Sequence, residues 1–384
     1  MNDTIYKIGV IGFGLRAEYM IRNIKQFQLS AKVTCICDIE WDGPKNRLKT
    51  LQLSEESIHF YHDYLEMMEH EVLDGIMIAT CCNNHTEIAC NVMKYNIPIF
   101  LEKPVSITEE QLELLSQAEK KFKPNVLVSF PLRVTPLCQK AKEIIDNGTL
   151  GTISQFQAVN NVSYARVYYH TWFKDESLTG GLFLQKSTHD IDVIQYLLDE
   201  IPSSITAMES KVIFKGSKPE GLTCPKCPEY RTCPESSYVI ANQHFDHVDG
   251  ELCCFAQDTG NHDSGSILMQ FENGVHGFYS QNFVARKSAA QRSYRVIGYL
   301  ATMEFDFATS VIKIQHHNSG TVETITIDSH GLNHFGGDKV LMENFIAMMA
   351  GKEKSYAPLL SGIESARSCL MAKRSAKDHV FVAR

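Results

Sequence analysis

The sequence predicts an α/β protein: an N-terminal doubly wound parallel sheet, then a C-terminal α+β domain with a large, mostly antiparallel sheet. Three observations predict it. Short apolar runs alternate with helix-period patterns over residues 5–132, the signature of successive strand–helix–strand units. A glycine-rich turn, Gly12-Phe13-Gly14-Leu15-Arg16-Ala17, joins the first apolar run to the first helical pattern. Beyond Arg133 the character changes to longer β-rich runs punctuated by hairpin turns.

The first strand, residues 5–11, carries Ile8, Val10 and Ile11 into that turn. Gly12 permits a tight strand-to-helix reversal, Gly14 lets backbone approach a pyrophosphate, and Ala17 lets the helix pack close to the strand. The helix, residues 17–27, has Met20, Ile21, Ile24 and Phe27 on one face. Its N-terminus offers free N–H groups and a positive dipole end to phosphate. The second strand, residues 32–37, ends in Asp38, placed where an acid binds the ribose hydroxyls of NAD. Its carboxylate would repel a 2′-phosphate, whereas Arg16 leaves NADP open. Strands at 75–80, 97–101 and 126–130 follow, with helices at 45–51, 64–70, 86–95 and 109–121. Residues 1–132 thus read as a Rossmann NAD(P)-binding domain.

Residues 133–384 read as a substrate-binding and oligomerisation domain. A helix at 136–147 ends at Gly148, a good C-cap. Strands are expected at 152–160, 205–214, 265–271, 275–283, 294–297, 302–307, 311–316 and 321–327, with one helix, 188–198, inserted early. Asn273-Gly274 is a two-residue hairpin signal, and Asn318-Ser319-Gly320 is a further turn. Two closing helices, within 338–376, are expected to pack back toward the first domain.

The bulk numbers exclude several classes. A chain of 384 residues, 44% hydrophobic and 21% charged, has an ordinary globular composition. A net charge of −8 without a long basic run argues against nucleic acid. No apolar stretch approaches the roughly 18 residues of a membrane span. The N-terminus runs straight into a strand, so a cytoplasmic protein is expected, and its twelve cysteines read as reduced thiols.

Three further stretches complete an ordered set with the glycine turn. They are Ile78-Ala79-Thr80-Cys81-Cys82-Asn83-Asn84-His85, Glu102-Lys103-Pro104, and Gly180-Gly181-Leu182-Phe183-Leu184-Gln185-Lys186-Ser187-Thr188-His189-Asp190-Ile191-Asp192. Together these resemble the glucose–fructose oxidoreductase and inositol dehydrogenase family (Gfo/Idh/MocA), over nearly the whole chain. The chain departs from that family at Cys81, where Thr-Pro is usual, and at Gln185, where many members carry Asp. Lys186 resembles a Lys-x-x-His-Asp subgroup instead.

The resemblance implies hydride transfer between a sugar, sugar derivative or cyclitol carbinol and nicotinamide. It implies that Gly12, Phe13, Gly14, Leu15, Arg16, Asp38, Thr80, Asn83, His85, Glu102 and Lys103 surround the cofactor, with Glu102 on the nicotinamide-side ribose. Lys103 can donate to the substrate oxygen and stabilise alkoxide charge. His189, with an ordinary pKa of about 6.5, is the candidate base. A cap from Ser187 or Thr188 would put it in the first turn of a helix, where the positive dipole end disfavours imidazolium. Asp192 is a candidate to orient its ring. Lys186 is either a second substrate cation or a partner for Asp190. Arg133, Tyr164, Tyr169 and His334 are substrate-pocket candidates, and Tyr168, Tyr169, Trp172 and Phe173 are sugar-stacking or core aromatics.

The insert Cys224-Pro225-Lys226-Cys227-Pro228-Glu229-Tyr230-Arg231-Thr232-Cys233 has the ligand spacing of a structural zinc. His244, His247, Cys253 and Cys254 are candidates for the fourth ligand. Free thiols or a redox role are the alternatives. Two rivals to a simple dehydrogenase stand beside it. One is a redox-neutral enzyme that recycles bound NAD through a keto-sugar toward elimination, epimerisation or glycoside cleavage. The other is a non-catalytic NAD-binding sensor. A homodimer or homotetramer is expected in each case.

Overall fold

Strand β1 (Tyr6–Ile11) lies at the middle of a six-stranded sheet, and its Ile8, Val10 and Ile11 are buried. The computed structural model describes residues 4–244, 246–328 and 333–384. The other strands are β2 (Ala31–Cys37), β3 (His59–Tyr61), β4 (Gly75–Ile78), β5 (Ile99–Leu101) and β6 (Val126–Val128), in the order β3-β2-β1-β4-β5-β6. Every pairing is parallel. Strands β4, β5 and β6 are buried at every position, as a parallel sheet covered on both faces requires. The strand order reverses between β1 and β4, so the crevice at their carboxyl ends is where this fold receives a ligand. The sequence reading missed β3, an edge strand of three residues that is too short to show a period.

Nine strands form the second sheet: β7 (Ile153–Asn161), β8 (Pro202–Ser210), β9 (Ser264–Phe271), β10 (His276–Asn282), β11 (Gln291–Gly298), β12 (Ala301–Asp306), β13 (Val311–His316), β14 (Val322–Thr326) and β15 (Val382–Ala383). Their order is β14-β13-β12-β11-β7-β10-β9-β8-β15. Only β7 with β10 is parallel. Buried and exposed residues alternate along β9 and β10, so one face is packed and the other open.

Two boundaries moved for identifiable reasons. The strand expected at 205–214 ends at Ser210, because Asp263 takes the N–H groups of Ile213 and Phe214 out of the ladder. The Asn273-Gly274 hairpin forms with one more residue than a two-residue loop, Phe271 pairing with Val275 and Gly274 at φ +86°. That is the bulged hairpin in which glycine supplies the left-handed residue.

By its contacts the chain divides into two units. One takes in residues up to Lys142, with Asp192–Tyr196 and Asp328–Arg367; the other takes in Glu143–Ile191, Leu197–Ile327 and Ser368–Arg384.

Candidate active site

In the first unit, the glycine turn is built by contacts on both sides. Gly12 stands at φ +81°, and a Cβ there would lie 2.8 Å from the backbone of Thr80, so only glycine fits. Gly14 precedes the helix Leu15–Gln26 without a side-chain cap, and a Cβ on it would meet nothing within 4 Å. There is open space beside Gly14, and the uncapped N-terminus of that helix offers its first N–H groups and positive dipole end as an anion site. Asp38 accepts the Phe13 N–H at 2.8 Å and the Ile39 N–H at 2.7 Å. This fixes its carboxylate beside the turn. Phe13 itself is buried and Leu15 is exposed. Asn83 Oδ1 is buried without a hydrogen-bond partner, an acceptor left for a ligand. The open cradle, the anchored acid and this orphan acceptor fit a bound dinucleotide.

Arg16 does something the sequence reading did not assign. Its guanidinium donates to Glu102 at 2.7 Å, to Ser129 at 2.9 Å, and to both oxygens of Asp338 at 2.7 and 3.0 Å. Glu102, expected on a ribose, is one end of this clamp. His334, expected in a substrate pocket, holds the Asp338 carboxylate at 2.8 Å with Nδ1.

Burial works against the charge on Asp338, but Arg16 and His334 outweigh it and hold the carboxyl well below its usual range. A depressed folded-state pKa means stability that is present above the ordinary Asp value of about 4 and lost as pH falls below it. We expect Asp338→Asn to lower the urea midpoint at neutral pH. Its deficit relative to the natural protein should shrink as pH drops below about 4. A deficit that does not change with pH would deny the clamp this charge.

Two loops at the carboxyl edge of this sheet are tied together by His85. Its ring is buried, with Nδ1 2.8 Å from the Pro104 carbonyl and Nε2 3.1 Å from the Thr80 carbonyl. Burial lowers its pKa, and a neutral ring donates its one N–H to a single carbonyl of the two. Expected as a cofactor ligand, His85 is instead a strut between the end of β4 and the turn after β5. Lys103 lies in that turn, half-buried, and its bond to Pro104 is cis.

In the second unit, Gly180 and Gly181 stand at φ +79° and +87° and start a helical run. A π-turn, Phe183–Ser187, passes directly into the helix Thr188–Leu198. This corrects the expected cap. Ser187 is already helical and its hydroxyl donates to Gln281 at 2.9 Å. His189 therefore does not sit at a free helix end, and the dipole argument for its neutrality falls away. The ring is buried.

Beside it, Asp190 has four partners on three strands: Asn160 (2.9 Å), Tyr279 (3.0 Å), Tyr294 (2.5 Å) and Arg292 (2.8 and 2.9 Å). Register explains the convergence. Ala158 of β7 pairs with Tyr279 on one side and Tyr294 on the other, and Asn160 pairs with Arg292. The small Ala158 leaves room for the carboxylate between the two phenols. Sequence reading missed these residues; the available signal was polar side chains at inward positions of β-period runs. Lys186, expected as a substrate cation or a partner for Asp190, lies within electrostatic reach of Asp190 and spends a hydrogen bond elsewhere. Its Nζ donates to the Tyr164 hydroxyl and lies 4.5 Å from the centre of that ring.

Other candidates are placed elsewhere. The Asp192 carboxylate is gripped by both arms of Arg133, whose remaining nitrogen reaches Ser361 at 3.2 Å. This buried pair occupies two residues expected at His189 and at the substrate. Tyr169 is fully buried in an apolar cluster with Phe214 and Phe283, and its hydroxyl donates to the His262 carbonyl at 2.6 Å. Tyr168 belongs to the same cluster, with Phe173 packed against it, while Trp172 stacks on Phe173. Cys224, Cys227 and Cys233 line one small cavity with Cys253, Cys254, His170 and Glu235. Among the described residues no three His, Cys, Asp or Glu stand where they could hold a metal, and no disulfide joins the cysteines. Burial raises the Cys224, Cys233 and Cys253 thiols. The geometry does not support the zinc reading.

Comparison with known proteins matches two family descriptions. Residues 6–130 match "Oxidoreductase family, NAD-binding Rossmann fold", and residues 138–304 match "GFO/IDH/MocA C-terminal domain". The Bacillus subtilis (strain 168) protein YteT is 23% identical over 340 residues, 78% of each chain. Thermotoga maritima myo-inositol 2-dehydrogenase is 25% identical over 213 residues, 54% of this chain and 59% of that protein. The chain thus spans little more than half the length of that inositol dehydrogenase. The solved levoglucosan dehydrogenase in complex with NADH and levoglucosan superposes with TM-score 0.77 at 16% identity, over 98% of this chain and 99% of that one. Lactobacillus plantarum myo-inositol 2-dehydrogenase gives 0.72 at 18% identity, over 98% and 99%. Among the described residues no helix is long and apolar enough to cross a membrane.

Proposed function

The chain belongs to the GFO/IDH/MocA oxidoreductase family, and from that membership we propose an NAD-dependent dehydrogenase acting on a carbinol of a sugar, sugar derivative or cyclitol. The observation that carries the reading is the glycine turn, with an open helix N-terminus at Gly14 and Asp38 anchored by the Phe13 N–H. Gly12, Gly14 and the helix N-terminus would hold the pyrophosphate, and Asp38 the adenine-side ribose. Arg16 is committed to Glu102 and Asp338, which favours NAD over NADP. When bound, the nicotinamide supplies the acceptor or donor of hydride. Lys103 is the cation for the substrate oxygen, and His189 takes up or returns the hydroxyl proton. Relatives named for inositol and levoglucosan support a polyol or sugar substrate.

We assign self-association to the open face of the second sheet, where Met208, Leu268 and Phe278 are exposed, and place the protein in the cytoplasm.

The test is a panel of inositols, sugars and glycosides incubated with protein and NAD, read by NADH absorbance and mass spectrometry. A keto product with stoichiometric NADH is the expected result. A changed sugar without NADH would move the reading to redox-neutral use of bound NAD, and tight NAD binding with no changed sugar would leave a sensor. Asp38→Ala should weaken NADH binding more than NADPH binding in a fluorescence titration; equal losses would remove the NAD preference.

A further inference from the structure

Lys186 is 3% exposed, whereas Tyr164, whose hydroxyl accepts its ammonium proton, is 56% exposed. The ammonium thus ends against a phenol that itself reaches solvent. The charged groups facing the pair are Arg292 from β11 and Asp190 from the helix Thr188–Leu198. The Tyr168 ring also lies 6.4 Å from that of Tyr164.

Charge counting sharpens this. Lys186 and Arg292 bring two positive charges, and Asp190, which takes both arms of Arg292, brings one negative. With Tyr164 neutral the cluster holds one uncompensated buried cation, a costly state. Removing one proton from the Lys186–Tyr164 pair neutralises it. We propose that Tyr164 and Lys186 form a single proton-sharing unit that passes the substrate's hydroxyl proton between this site and solvent.

In the direction of carbinol oxidation His189 receives the hydroxyl proton and passes it to the Tyr164 phenolate, which becomes phenol while Lys186 keeps its ammonium. The phenol then gives the proton to water. Burial lowers Lys186, and the positive charges of Lys186 and Arg292 lower Tyr164. Both directions agree with a shared proton, and the loss belongs to the pair rather than to either residue. Lys186 is a positioning residue that acts through Tyr164. It lies three residues before His189, one helical turn away. The use of the pair in turnover rests on the dehydrogenase reading; its existence does not.

The test is therefore a titration that needs no substrate. Ultraviolet phenolate absorbance of the intact protein is followed against pH, and the Tyr164→Phe curve is subtracted. The difference should show one tyrosine ionising at least about one pH unit below the ordinary value of about 10. Lys186→Met should return that tyrosine to about 10 or above, and Lys186→Arg should keep it low. NADH binding and circular dichroism report whether each variant is folded, and the exposed Tyr164→Phe change is the one least able to disturb the core. A difference curve centred at or above about 10 overturns the proposal, as does a low one that Lys186→Met leaves unmoved. With a substrate in hand, the alkaline side of the kcat profile should shift in Tyr164→Phe while NADH affinity stays. An unshifted kcat profile with a low tyrosine would overturn the relay and leave the dehydrogenase reading standing.

Discussion

Asp190→Ala should destabilise the protein by about 3–5 kcal/mol, the cost of stranding a buried charge by deleting its partner. The Asp190 side chain is buried, and Arg292 donates two hydrogen bonds to it. Alanine would leave that guanidinium without its counter-ion and the buried Tyr294 phenol without its acceptor, and would leave Tyr279 only Gln281 at 3.3 Å. The same carboxylate ties the helix Thr188–Leu198 to β7, β10 and β11, so the backbone carrying His189 should loosen as well. Urea denaturation followed by tryptophan fluorescence and circular dichroism measures the loss. Asp190→Asn, which keeps the shape and removes the charge, should fall between the two. A cost below about 1 kcal/mol would place Asp190 among ordinary surface pairs and remove it as the anchor of this helix.

The second large effect is on turnover. If His189 accepts the substrate proton, His189→Ala should lower kcat by about 10²–10⁴-fold, the range of a lost general base. NADH affinity should stay unchanged, because the glycine turn and Asp38 belong to the other unit. The two variants separate by stability: Asp190→Ala loses both folding energy and rate, His189→Ala only rate. Unchanged turnover in His189→Ala would transfer the base to the Tyr164–Lys186 pair, and the pH profile of Tyr164→Phe would then carry the whole acid–base effect.

Much of the cofactor turn was legible because its instructions are local. The glycine spacing, the flanking strand and Asp38 lie within one strand–helix–strand unit, and the structure adds Thr80 as the wall behind Gly12. The helix after Ser187 was legible in extent but not in origin. Its residues have the right period, yet a π-turn fed by Gly180 and Gly181 replaces the cap that Ser187 and Thr188 suggested. Such a turn depends on how the preceding loop is packed, which a 3.6-residue period does not encode.

By itself the sequence determined the main strands and helices and their apolar faces, though not the short edge strand β3, and with them the parallel and antiparallel sheets and the phosphate-binding turn. Those properties follow from periodicity and from glycine positions, which each stretch of chain carries alone. The tertiary structure decided which charges meet. Arg16 pairs with Asp338, 322 residues away, and Asp190 meets residues as far off as Tyr294, 104 positions on. Hydrophobic patterning tells inside from outside, but a buried charge must find its partner among whatever side chains strand register and helix placement bring within about 3 Å. That choice is made across the fold, and here it turned Arg16, Glu102, Arg133 and Asp192 into internal ion pairs and left Lys186 with Tyr164.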